Sequence, residues 1–490
     1  MLDIAGDNRR YALNLSDQKP IPFTQRALVL QGGGALGAYE AGVFCAICRK
    51  IMNEDKNKNA NGMLFDIVAG TSCGALSGAV LVDHFLKNNK DWERSDVRLV
   101  DFWKGLRNHT IADRLFQKGS PVRGLWTYWH NLNPDIATTE AARRFWSAFQ
   151  FDFTTYGVPN LYVPVLQPNY RFLNPYLPYY WLYDYRDLRQ YLSEVINFPI
   201  KTSFENGEPR LLVVSTDVQD YTSAVTFDSY QKKKDPVDAA GNVVADRQGK
   251  ISRYFAEYGR DSSTKHILLY DGIGSEQLLA SALAKYALDH PHMEDKITGN
   301  DRQFWDGGYL SNTPLRELLQ SHRDFWLDYS GGQGKDTKVP DLEIYVVDLH
   351  ATLEKATPND LDSIDDREHD ILFHNRTQYD EKVANLVTDY VDLTRKLIAL
   401  AKTKGRSDSE INNILDSNLE TKSKKRSGEN RSYRDLVEGR FRITKIWHIE
   451  RHDEPDSIYG KFTDFSAKSI EELIRAGEHD ANRTLNLGPL

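Results

Sequence analysis

The sequence predicts an α/β protein built on a central, mostly parallel sheet, and three observations carry that expectation. Residues 26 to 50 read strand, glycine turn, helix: ALVL is short, apolar and β-capable, and AYEAGVFCAICRKI places apolar residues at helical spacing behind the glycines. The same grammar repeats at once, with FDIVAG (65 to 70) as a second buried strand, TSCG as a tight turn and ALSGAVLVDHFL as a helix. Further short apolar runs, LLVVSTDV (211 to 218) and LEIYVVDLH (342 to 350), supply more strands. Parallel neighbours need a crossover between them, and successive strand-turn-helix units provide it.

The remaining elements follow in chain order. Between about 100 and 195 the rhythm breaks into an insertion dense in aromatics and proline, as in GLWTYWHNLNP and VPVLQPNYRFLNPYLPYYWLYDY, with little regular structure expected between helices such as TTEAARRFWSAF. Its aromatics read most simply as a cap packed on the core; the alternative sets Tyr and Trp at a membrane–water interface. SAVTFDS (223 to 229) pairs with the strand before it, QLLASALAKYAL (277 to 288) is a helix, and QFWDGGYLSNTPL (303 to 315) is a strand running into a glycine turn. From 351 to about 426 the pattern is charged and helical, followed by a last strand, FRITKIWHIER, and a closing helix, AKSIEELIRAGEHDANRTL.

Bulk properties narrow the function. A chain of 490 residues is too long for one ordinary core. A net charge of −8 argues against nucleic-acid binding, which needs a basic surface. The clusters Lys232 to Lys234 and Lys422 to Arg426 read as solvated loops, with anionic headgroups as the sharper alternative. No apolar run approaches the ~18 residues of a membrane span, and the N-terminus lacks a secretory pattern, so cytoplasmic residence is expected. Cys45, Cys48 and Cys73 cannot all pair; Cys45-x-x-Cys48 sits in a helical pattern without metal-binding partners nearby and reads as buried thiols.

Two turns can carry chemistry. Gly70-Thr71-Ser72-Cys73-Gly74 is G-x-S-x-G between a buried strand and a helix, a context that lifts a serine hydroxyl clear of the sheet beside a helix N-terminus. Ser72 is the expected nucleophile. A hydroxyl needs a base, and two candidates compete: His350, the best placed of the histidines for a Ser-His-Asp arrangement, and Asp306, delivered by a strand into the turn of Gly307 and Gly308. Gly32, Gly34 and Gly37 fit the G-x-G-x-x-G of a dinucleotide loop. That reading expects an acidic residue ending the second strand, where this chain has Ala69-Gly70. With a serine nucleophile downstream, Gly32, Gly33 and Gly34 are better read as N–H donors for the oxyanion of an ester under attack.

GGGALG (32 to 37), GTSCG (70 to 74) and DGGYLSNTPL (306 to 315), in that order, resemble the patatin-like phospholipases, serine lipid acyl hydrolases with a Ser-Asp dyad. STDVQDYTSAVTF (215 to 227) and LLASALA (278 to 284) add supporting matches. The resemblance implies Ser72 as nucleophile, Asp306 as its base, Gly32 to Gly34 as the oxyanion loop, and no metal, nucleotide or other cofactor. It implies a three-layer α/β/α fold and a lipid ester as substrate; peripheral contact with a membrane surface belongs to the interface alternative for the aromatic insertion. Leu36 stands where many members carry Arg or Lys, and LAKYALDHPHMED replaces a proline-rich stretch. The ending DFSAKSIEELIRAGEHDANRTL resembles a bacterial subgroup with an extra C-terminal region. The expected division is therefore an N-terminal extension (1–24), a catalytic domain (25–320) and a C-terminal strand and helical region (321–490). The rival reading is a catalytically silent scaffold or membrane-binding protein that keeps the fold.

Overall fold

The computed structural model describes residues 19–58, 63–153, 157–164, 183–219, 224–230, 272–284, 287, 289–294, 301–329, 339–353, 357–374, 377–420, 431–452 and 457–487. Both basic clusters considered above lie outside these residues. The chain enters on β1 (Thr24–Leu30), whose side chains alternate between two apolar clusters: Leu28 and Leu30 join the larger, Ala27 and Val29 the smaller. A strand covered on both faces by helices requires that. α1 (Gly37–Lys58), β2 (Ile67–Thr71) and α2 (Cys73–Lys87) follow as the two expected crossover units.

The insertion is more regular than its composition suggests. It contains α3 (Ser95–Gly105), α4 (Ile111–Leu115), α5 (Pro121–Leu132), α6 (Thr139–Phe153), a short ladder of β3 (Val163–Pro164) with β4 (Tyr183–Asp184), and α7 (Arg186–Val195). LWTYWHNL, expected to be irregular, belongs to α5. Its Ser120 caps the N-terminus, Pro121 occupies the first helical position, and apolar residues recur at 122, 125, 129 and 132. Most of VPVLQPNYRFLNPYLPYYWLYDY, residues 165–182, lies outside the described residues.

β5 (Arg210–Asp217) and β6 (Val225–Asp228) then pair antiparallel, and α8 (Ser275–Ala282) ends sooner than expected because Leu283 turns to extended backbone. β7 (His292–Glu294), β8 (Asp301–Asp306), α9 (Leu315–Tyr329) and β9 (Asp341–Asp348) follow. The last part holds α10 (Leu361–Phe373), α11 (Thr377–Thr403), α12 (Asp408–Leu415), α13 (Arg434–Val437), β10 (Ile443–Glu450) and α14 (Ala467–Leu487).

The sheet runs β10-β9-β1-β2-β5-β8-β7, with β6 also paired to β5. From β10 to β5 every pairing is parallel; β8, β7 and β6 are antiparallel additions. α1, α2 and α14 cover one face and α9 the other, giving the α/β/α layering. The division expected at residue 320 falls inside this sheet, since β9 lies between β10 and β1.

α14 lies along α1 so closely that a β-carbon on Gly42 would strike the Ile474 carbonyl, and one on Gly477 the Tyr39 carbonyl. Tyr39 Oη donates to Asp480 Oδ2 at 3.1 Å across the pair. We expect Gly42→Ala to cost about 1–3 kcal/mol in denaturant unfolding, because the helices must part. Gly124→Ala, in α5 with open space around it, should instead stabilise by roughly 0.5–1 kcal/mol through helix propensity.

Candidate active site

The register of the sheet places Ser72 and Asp306. Thr71 at the end of β2 pairs with Val214 of β5, and Asp306 at the end of β8 pairs with Ser215 on β5's other edge. The two side chains therefore flank β5 at one level, and Ser72 Oγ donates to Asp306 Oδ2 at 2.6 Å. Residues 234 apart in sequence meet because one strand separates them.

The serine turn is strained. Ser72 has φ 54° and ψ −123°, a conformation that costs a non-glycine residue about 1–3 kcal/mol and persists only where its surroundings hold it. Here Ser72 N–H donates to Ser281 Oγ at 2.9 Å, and Ser281 Oγ donates to Val214 O at 2.5 Å. Ser72 O accepts from Ala75 and Leu76 N–H in the first turn of α2. Gly70 and Gly74 let the turn close, since a β-carbon on Gly70 would meet Gly74 O and one on Gly74 would meet Leu30 O. Ser281, quoted in the sequence only as part of a motif, is thus the residue that pins the serine's backbone.

Asp306 is equally fixed. Its Oδ1 accepts from Gly308 N–H at 2.7 Å, and its carbonyl accepts from Thr216 Oγ1 at 3.0 Å. Gly307 rests directly on the Val214 carbonyl, leaving no room for a side chain. Burial pushes the Asp306 pKa up to about 6, with the hydrogen bonds from Ser72 and Gly308 opposing it.

The glycine loop lies beside them. A β-carbon on Gly32 would sit 3.0 Å from Ser72 Cβ. Gly32 N–H donates to Asn312 O at 3.0 Å, so this donor is already engaged. From Gly34 the chain enters a 3-10 turn (Gly34–Leu36) that runs on into α1, and the first N–H groups of such a turn have no acceptor within it. Gly34 has φ +56° and packs on the Phe462 carbonyl, while Gly37 packs on Trp103 and Cys73. Leu36, the departure from the family pattern, is fully buried in the core.

His350 does not reach Ser72 as a triad histidine would. Its Nδ1 lies 3.0 Å from Asp370 Oδ1 and its Nε2 3.2 Å from Gly32 O. Asn312 Nδ2 donates to the same Gly32 carbonyl at 3.1 Å. Burial raises the Asp370 pKa, but His350 and Lys461, the latter at 2.7 Å, outweigh it and hold the carboxyl at about 2. The histidine therefore belongs to a buried ionic cluster that grips the glycine loop. Asp348, His448 and Glu450 converge elsewhere. There His448 Nδ1 lies 3.1 Å from Asp348 Oδ2 and Nε2 lies 2.9 Å from Glu381 Oε2, and against burial these carboxylates push its pKa up to about 10.

The raised Asp306 pKa is also a statement about stability. Its neutral form fits the fold at no ionisation cost below the ordinary value of 3.8, and this contribution is lost as pH rises through about 6. Asp306→Asn keeps an acceptor for Gly308 and a donor for Ser72. We expect urea unfolding to show it near wild type at pH 4 and more stable by about 2–3 kcal/mol at pH 8.

No curated protein sequence matches the chain. Among solved structures, VipD from Legionella pneumophila is similar at 12% identity and a TM-score of 0.32, with 95% of this chain and 67% of that chain covered. The family model described as patatin-like phospholipase matches residues 28–319. That match takes in more than half of the 490 residues and everything from the glycine loop to the Asp306 turn, and the chain belongs to the patatin-like phospholipase family.

Proposed function

We infer that this protein is a serine lipid acyl hydrolase in which Ser72 is the nucleophile and Asp306 its base. The 2.6 Å hydrogen bond between Ser72 Oγ and Asp306 Oδ2, made at a strained turn, carries the reading. As Ser72 Oγ bonds to the ester carbonyl carbon, its proton passes to Asp306, which then gives it to the departing alcohol. Water enters next, Asp306 takes its proton, the hydroxide oxygen bonds to the acyl carbon, and as the bond from that carbon to Ser72 Oγ breaks Asp306 returns the proton to Ser72 Oγ, releasing the fatty acid. A carboxyl near pKa 6 is a better base than an ordinary aspartate and is still ionised at neutral pH. Gly33 and Gly34 supply the oxyanion's donors, and Gly32, its N–H held by Asn312, shapes the wall beside the serine.

Lipid substrates reside in aggregates, and the insertion offers a surface to meet them. α5 exposes Leu125, Tyr128, Trp129 and Leu132, and α6 exposes Phe145, Trp146 and Phe149. Other aromatics of this region, Phe102, Trp103, Phe116 and Phe151, are buried, so the insertion both packs on the core and presents an apolar outside. α6 rests on the turn Tyr459–Phe462, where Gly460 meets Ala148, and Phe462 meets Gly34. The turn Tyr459–Phe462 thus links the buried side of α6 to the glycine loop. Among the described residues no helix is long and apolar enough to cross a membrane.

Ser72→Ala and Asp306→Asn should each lower fatty-acid release from a mixed membrane-lipid extract, followed by mass spectrometry, by at least ~1,000-fold. For wild type, kcat/KM should climb with pH through an acidic limb near 6, because only the ionised Asp306 accepts a proton. A fully active Asp306→Asn would sink the dyad, and a folded protein that a fluorophosphonate probe leaves unlabelled would favour a silent scaffold. Replacing Trp129 and Trp146 together by Ser should weaken sedimentation with phospholipid vesicles while leaving hydrolysis of a soluble short-chain ester within about twofold of wild type, as exposed positions away from the chemistry allow.

A further inference from the structure

α11 carries a repeat that neither the catalytic reading nor the packing of the chain uses. Along its 27 residues, Tyr379, Val383, Leu386, Tyr390, Leu393, Leu397 and Leu400 recur at alternating steps of four and three, the a and d positions of a heptad. Each of these side chains is exposed, from 40% at Val383 to 72% at Tyr379. An adjacent stripe faces the body of the protein, where Val391 is buried. That side is tied down by Glu381 to His448 at 2.9 Å and by Asp392 to Arg442 at 3.2 Å. The helix is therefore held rigidly against the sheet with an apolar seam turned outward.

A period of 3.5 kept over three heptads is the signature of a seam that supercoils with another helix, whereas a surface helix serving only its own core has no use for one. We propose that α11 pairs with α11 of a second copy of this chain, forming a two-helix coiled coil about a twofold axis.

Three features favour a second copy. The seven side chains expose on the order of 800 Å² per copy, and a pair burying most of that reaches roughly 1,200 Å², the lower end of a standard stable interface. In a parallel pair charge does not oppose self-pairing: the g positions Lys382, Asp389 and Lys396 face the copy's uncharged e positions Val387, Thr394 and Ala401, and the remaining e position, Asp380, lies ahead of the first of these g positions. The seam also holds no Asn or Lys to select a different partner, and Leu at d suits a two-stranded coil. A single apolar stripe that meets its own copy closes the assembly at two, as an isologous interface must.

The test is the mass of the full-length protein in solution. Light scattering behind size exclusion, over a micromolar dilution series, should give twice 56.1 kDa for wild type. Leu386→Glu with Leu393→Glu should give a monomer with an unchanged far-UV spectrum, since both positions are solvent-exposed in the isolated chain. Leu386→Ala with Leu393→Ala, which adds no charge, should raise the dimer dissociation constant at least 100-fold and covers the case in which the glutamates disturb folding. A monomeric wild type, with the seam bare or covered by another protein's helix or by this chain's own segment, overturns the proposal. So does a dimer that survives both double substitutions.

Discussion

Everything at the candidate site depends on how closely backbone can approach backbone around β5. Ser72 and Asp306 sit on its two edges, and a 2.6 Å hydrogen bond between them leaves no slack in either flanking turn. Gly70, Gly74 and Gly307 make that approach, each resting against a main-chain carbonyl where a side chain would collide. The backbone strain at Ser72 is held by the same contacts, because Ser281 bonds both the serine's N–H and the carbonyl of Val214 beneath Gly307. Compactness here also accounts for the electrostatics: a carboxyl so enclosed loses hydration, and its pKa rises toward the range where a base is useful at neutral pH.

The C-terminal part of the chain is structurally inseparable from that site. β9 borders β1, and the residues just past it meet the glycine loop directly. Gln31 Oε1 accepts the backbone N–H of Leu349 and His350, and the His350 ring reaches Gly32 O. Lys461, fully buried between Asp366 and Asp370, links this grip to the segment leading into α14. Such a cluster is costly to bury and loses far more when one member is removed than a surface pair would. It bears on the glycine loop through the His350 ring at Gly32 O and through Phe462, next to Lys461, at Gly34.

Much of this was legible in the sequence where local pattern and chemistry agree. The strand-turn-helix units, the buried strands at 211–218 and 342–350 and the last strand and helix all appear close to where periodicity puts them. The misses have physical causes. Aromatic and proline density hid α5, whose cap and spacing are helical, and a continuous apolar pattern carried α8 too far because the end of a helix depends on what it packs against. His350 competes with Asp306 in the sequence because a histidine ending a strand is chemically suited to be a base; its neighbours, Asp370 and Gly32, come from distant segments and engage it elsewhere.

By itself the sequence determined the layered α/β class, the crossover units and the residue types able to attack an ester, because side-chain period and turn chemistry are local properties. Only the tertiary structure decided which residues meet. The pairing of β2 and β8 on either edge of β5, the engagement of Gly32 N–H by Asn312, and the outward turn of the α11 heptads all depend on contacts between segments far apart in the chain. Register and burial are properties of the assembled sheet, and no window of sequence contains them.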